Sequence, residues 1–111
     1  HDYDLYVRAA ASRWRIGWAP ERLLGYRRHE ASFGARSQER GIEETIRVLE
    51  RARETCPEPW PRAVKHYARS WYRLGKVRRR RGARSAAREC FRRAFAAQPL
   101  YVKAYLRWLL G

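Results

Sequence analysis

Two short segments near the front of the chain hold the side chains best equipped for chemistry. Asp2 and Asp4 lie in His1-Asp2-Tyr3-Asp4-Leu5-Tyr6-Val7-Arg8, and Arg27, Arg28 and His29 lie in Tyr26-Arg27-Arg28-His29-Glu30-Ala31-Ser32. A carboxylate can orient a hydroxyl group and take its proton in one step. A neutral imidazole can coordinate a metal ion, and a guanidinium can bind phosphate oxygens bidentately. Taken singly, Asp2 and Asp4 read most simply as carboxylates in the first turn of a helix, where the dipole favours negative charge.

The elements that must position these groups follow from local pattern. Residues 3 to 13 set Leu5, Val7, Ala9, Ala10 and Ala11 among charged and aromatic neighbours, in a composition rich in helix formers, which predicts a helix ending near Ser12. Arg15-Ile16-Gly17-Trp18-Ala19 predicts a short strand, Pro20-Glu21 a turn, and Leu23-Leu24-Gly25-Tyr26-Arg27 a second extended segment. Small and polar residues from Glu30 to Gln38 predict a loop.

Beyond it the chain becomes helical in pattern. Ile42, Ile46 and Leu49, with Thr45, Val48 and Ala52 beside them, form an amphipathic stripe over Gly41 to Thr55. Cys56-Pro57-Glu58-Pro59-Trp60-Pro61 must break that helix, because proline lacks an amide donor and disfavours a helical residue before it. Pro61 suits the first turn of the next helix. Then come Trp71-x-x-Leu74-Gly75, Gly82, Ala87-x-x-x-Phe91-x-x-Ala94 and Pro99, spacings that resemble the tetratricopeptide repeat. Trp71 and Leu74 are expected to face a partner helix, Gly75 and Ala87 to permit close approach, Phe91 and Ala94 to fill the seam, and Pro99 to stop the second helix. The pattern departs at Arg78 and Arg84, where the repeat usually carries aromatic residues. One complete repeat covers roughly residues 68 to 101, and Tyr105-x-x-Trp108 resembles the first helix of a successor.

Asp2-Tyr3-Asp4-Leu5-Tyr6-Val7-Arg8 resembles the Glu-Asp-aromatic-Asp-Leu-aromatic-aliphatic-Arg stretch of family 2 glycosyltransferases, which have the GT-A fold. Ile16-Gly17-Trp18-Ala19-Pro20-Glu21, then Leu24-Gly25-Tyr26-Arg27-Arg28-His29 and Ser32, continue the resemblance in the same order. It departs at His1, which stands where the family has Glu. The resemblance implies that Asp2 is the general base taking the proton of an acceptor hydroxyl as it attacks the anomeric carbon of a nucleotide sugar. Asp4 would orient neighbouring groups, Arg27 or Arg28 would lie close to phosphate charge, and His29 would ligate a divalent metal, Mg2+ or Mn2+.

The expected fold is therefore mainly α. A helix and short β-strand pair in residues 1–36 would complete a GT-A α/β domain, and residues 39–111 would form a C-terminal helical, tetratricopeptide-like bundle. The implied function is that of the C-terminal part of a bacterial inverting transferase that moves a sugar from a nucleotide-sugar donor to a glycan or lipid-linked acceptor, in cell-envelope or polysaccharide synthesis. Without the front half and its Asp-x-Asp motif, these 111 residues alone are not expected to catalyse transfer.

Composition bounds the alternatives. At 111 residues, with 45% hydrophobic content, five Trp and seven Tyr, the chain has material for one small core and is too apolar for a disordered tail. The formal charge of +15, from 23 Arg and three Lys against 11 carboxylates, attracts polyanions. A blander origin is a GC-rich genome, which favours Arg, Ala, Gly and Pro together. Arg78-Arg79-Arg80-Arg81 reads first as a solvated helix end complementing the dipole, and next as peripheral contact with an anionic membrane. Cys56 and Cys90 lack metal or redox spacing, His66 has no partner at ligand spacing, and no apolar run reaches the roughly 20 residues needed to span a bilayer. A cytoplasmic setting, peripheral to the inner membrane face, is expected. The competing class is a non-enzymatic helical adaptor for a protein or acidic partner, with a basic nucleic-acid module third.

Overall fold

A computed structural model describes the chain from Asp2 to Gly111, apart from Arg13, Ile16, Tyr26, Arg28 and residues 30–37. The described residues form five helices: α1 Asp2–Ala11, α2 Gln38–Thr55, α3 Trp60–Arg80, α4 Arg84–Ala97 and α5 Val102–Leu109. The fold is mainly α, and each helix packs on its sequence neighbour from α2 through α5, with α1 lying against α2.

The core sits between α2, α3 and α4. Ile42 and Ile46 of α2 meet Trp71, Leu74 and Val77 of α3 and Cys90 and Ala94 of α4, and Ala104 of α5 closes the far side. α3 and α4 approach so closely that a β-carbon on Gly75 would stand 2.6 Å from Cε1 of the Phe91 ring. Phe91, almost wholly buried, fills the space that this glycine leaves. Trp71 is gripped from two sides, by Tyr67 edge-on with ring centres 6.2 Å apart and by the Arg93 guanidinium 4.7 Å above its ring.

The turns are set by residue chemistry. Pro59 and Pro61 frame the start of α3, which lacks a side-chain cap. At its end Gly82 takes a φ of +82°, and the amides of Gly82 and Ala83 donate to the carbonyls of Arg79 and Arg78, a Schellman closure that turns the chain into α4. Pro99 follows the last turn of α4, as its missing amide requires.

One expectation changes. The strand pair expected over residues 15–19 and 23–27 is absent from the described residues, which have no regular secondary structure and are all exposed. A lone two-stranded hairpin is marginal in water without a surface to pack on, and Trp18 and Leu24 are each 89% exposed. The loop expected over Glu30 to Gln38 lies outside the described residues except for Gln38, which already belongs to α2. Among the described residues no helix is long and apolar enough to cross a membrane.

Candidate functional site

The first turn of α1 separates its two carboxylates. Asp2 is exposed, whereas Asp4 is half-buried and engaged by Arg8 one turn on at 3.2 Å and by Arg51 of α2 at 3.7 Å. Tyr3 turns the same way, its ring 6.2 Å from that of His66 on α3, and burial raises its phenol above the ordinary range. Tyr3 and Val7 line one wall of an apolar crevice of about 240 Å³, and Leu49, Ala52 and Trp60 line the other. The helix bearing Asp2 is thus anchored to the α2–α3 body by its Tyr3, Asp4 and Val7 face, and Asp2 is left open to solvent.

Arg27 and His29 are exposed in the segment that follows, and Arg28 lies outside the described residues. Among the described residues no three His, Cys, Asp or Glu side chains converge on a point that could hold a metal ion. His29 offers a single imidazole donor, which by itself does not make a divalent-metal site.

A second cluster, which sequence reasoning missed, lies in a cleft of about 250 Å³ between α2, α3 and α4. Arg78 reaches across to α2, donating to Glu39 at 3.0 Å and Glu43 at 2.7 Å, and touches the Cys90 sulfur at 3.4 Å. Arg81 pairs with the other oxygen of Glu39. The Tyr67 hydroxyl donates to Glu50 at 2.8 Å, and burial, chiefly, holds that phenol above its ordinary range. Burial also pushes the Cys90 thiol up against the opposing pull of Arg78, so the sulfur stays protonated and unreactive. Here Glu39, Glu43 and Glu50 have partners across a helix interface, and Glu89 is held by Arg92 and Arg93 on its own helix. The cluster therefore ties helices together and offers no free nucleophile or base.

The four-arginine run is accordingly divided. Arg79 and Arg80 are solvated, but Arg78 is half-buried and builds the interface at the position where the repeat pattern departs from an aromatic residue. The available signal was the pair Glu39 and Glu43, four apart and so on one face of α2.

Charge is divided as well. Residues 1–56 carry eleven Lys and Arg against nine carboxylates, whereas residues 57–111 carry fifteen against two, Glu58 and Glu89. Nearly all the positive excess belongs to α3, α4 and α5. No family model, curated protein or solved structure matches the chain.

Proposed function

We propose that this chain is a section of a nucleotide-sugar-dependent transferase resembling family 2, with the end of its GT-A domain in residues 1–36 and a tetratricopeptide-like brace in residues 39–111. The observation that carries this reading is Asp2, an exposed carboxylate in the first turn of α1. It stands in an Asp-Tyr-Asp-Leu-Tyr-Val-Arg context that is followed in order by Ile16-Gly17-Trp18-Ala19-Pro20-Glu21 and Tyr26-Arg27-Arg28-His29. Asp4, held by Arg8 and Arg51, fixes the helix, so the two carboxylates take different tasks.

In the reaction, Asp2 accepts the proton of the acceptor hydroxyl as that oxygen bonds to the anomeric carbon. The bond from that carbon to the diphosphate oxygen breaks with inversion, and its electron pair leaves on the phosphate. Arg27 or Arg28 would offset the charge that develops on the diphosphate. A divalent metal, Mg2+ or Mn2+, would neutralise the same charge, with His29 as one donor and the remainder supplied from outside the described residues. Donor and acceptor chemistry are those of a nucleotide sugar and a glycan or lipid-linked hydroxyl, handled at the cytoplasmic side of a membrane.

The test is sugar transfer by the polypeptide of the complete reading frame. Asp2→Asn keeps size and removes the base, so turnover should fall by about a hundredfold or more while the melting temperature holds. Undiminished transfer by that variant would remove Asp2 from the chemistry. A reading frame without a nucleotide-binding half would remove the transferase reading altogether.

A further inference from the structure

The helix α5 presents an apolar ridge that no described residue covers. Its inner face is spent on the body of the protein: Ala104 is buried, Tyr105 packs on Phe95 with ring centres 5.1 Å apart, and the Arg88 guanidinium lies 5.3 Å from the Trp108 ring. At 100° per residue, Leu109, Val102, Leu106 and Leu110 then fall on one continuous outward arc. They are 55%, 59%, 47% and 77% exposed. Lys103 and Arg107 follow directly along one edge of that arc, and both are exposed.

The ridge is poorly shaped to receive another helix of the same repeat. In the 34-residue register, Val102, Tyr105, Trp108 and Leu109 stand where α3 has Ala68, Trp71, Leu74 and Gly75. On α3 all four are buried, and the bare Cα of Gly75 is what admits Phe91 of α4. Leu109 puts a branched side chain at the corresponding place, so a following helix cannot seat on α5 as α4 seats on α3. A second copy of the chain is disfavoured by charge, since docking ridge to ridge would bring two Lys103–Arg107 edges together on partners of +15 each. An anionic lipid surface meets both conditions. Its acyl boundary accepts protruding leucines without needing a complementary shape, and its phosphates complement the cationic edge.

We propose that α5 docks this protein onto anionic membranes, with Val102, Leu106, Leu109 and Leu110 entering the boundary between headgroups and acyl chains and with Lys103 and Arg107 holding lipid phosphates. The proposal is independent of the transferase reading, because it needs neither donor nor acceptor. The test is co-sedimentation of the full chain with vesicles of phosphatidylcholine, alone and mixed with phosphatidylglycerol. Wild type should pellet with the mixed vesicles only. Lys103→Glu with Arg107→Glu should weaken binding on the order of fivefold or more per charge, and Leu106→Gln with Leu109→Gln should abolish it. All four side chains are exposed, so circular dichroism and Tm should match wild type and separate lost docking from lost folding. Wild type that stays in the supernatant overturns the proposal. So does wild-type binding by the Leu106→Gln, Leu109→Gln variant, which would assign the attraction to bulk charge. A dimer in sedimentation velocity that this variant dissolves, without vesicle binding, would assign the ridge to a second copy instead.

Discussion

Helices α3 and α4 and the segment between α1 and α2 treat their aromatic and aliphatic residues in opposite ways. In α3 and α4, Trp71, Leu74, Val77 and Phe91 are all buried, and each aromatic ring meets another ring or a guanidinium. In the segment, Trp14, Trp18, Leu23 and Leu24 are at least 77% exposed. The two stretches differ in periodicity: a 3.6-residue stripe finds its partner in the next helix of the same chain, while a short extended run needs a sheet to join. Helices α3 and α4 pack on each other and on α2, whereas the described residues around Arg27 and His29 are exposed.

The largest consequence should appear in hydrogen exchange. Amides of the α3–α4 core, opened only by global unfolding, should exchange on the order of a thousandfold more slowly than the described amides between Trp14 and Gly25. Equal protection in the two stretches would break the contrast.

Within the hairpin, Phe91→Ala should cost about 3–5 kcal/mol, since it empties the space between α3 and α4. Gly75→Ala is the sharper probe. Alanine gains about 1 kcal/mol in helix propensity, yet its β-carbon would displace the buried Phe91 ring, an overpacking that costs about 1–3 kcal/mol. A net loss of up to about 2 kcal/mol is expected in urea melts, and a stabilised variant would show that the ring yields freely.

Different parts of this architecture were legible in sequence for different reasons. Trp71, Leu74, Gly75, Ala87, Phe91 and Ala94 sit where their spacing placed them because packing between adjacent helices depends on size and period, both of which a sequence displays. α1 and α2 were visible for the same reason, within a few residues at their ends. The strand pair was not, because extended runs are stabilised by neighbours that local pattern does not contain. The Arg78–Glu39–Glu43 bridge was missed because its partners lie some 35 to 39 positions apart and the arginine stood in a run that looked solvated. Of the candidate site, the residue types were visible and the anchoring of Asp4 by Arg51 was not, since Arg51 belongs to another helix.

That bridge offers the next test. Arg78→Met keeps the apolar stem but leaves Glu43 without its guanidinium and Glu39 with Arg81 alone. Allowing for partial solvent screening, a loss of about 1–2 kcal/mol is expected. The deficit relative to wild type should shrink at high salt. A salt-independent deficit would mean that the side-chain stem matters more than its charge.

The smallest effect concerns Glu89, where the hairpin meets water. Hydrogen bonds from Arg92 and Arg93 lower its carboxyl to about 2. Because the folded value lies below the unfolded one, near 4.5, these contacts contribute stability above about pH 4.5. The contribution is lost as pH falls toward 2. The side chain is 43% exposed, which keeps the contribution small and sensitive to salt. Glu89→Gln should therefore lower Tm slightly at neutral pH, and its melting curve should decline less than that of wild type between pH 4.5 and 2. Parallel decline of the two proteins would mean that Glu89 does not carry the acid sensitivity.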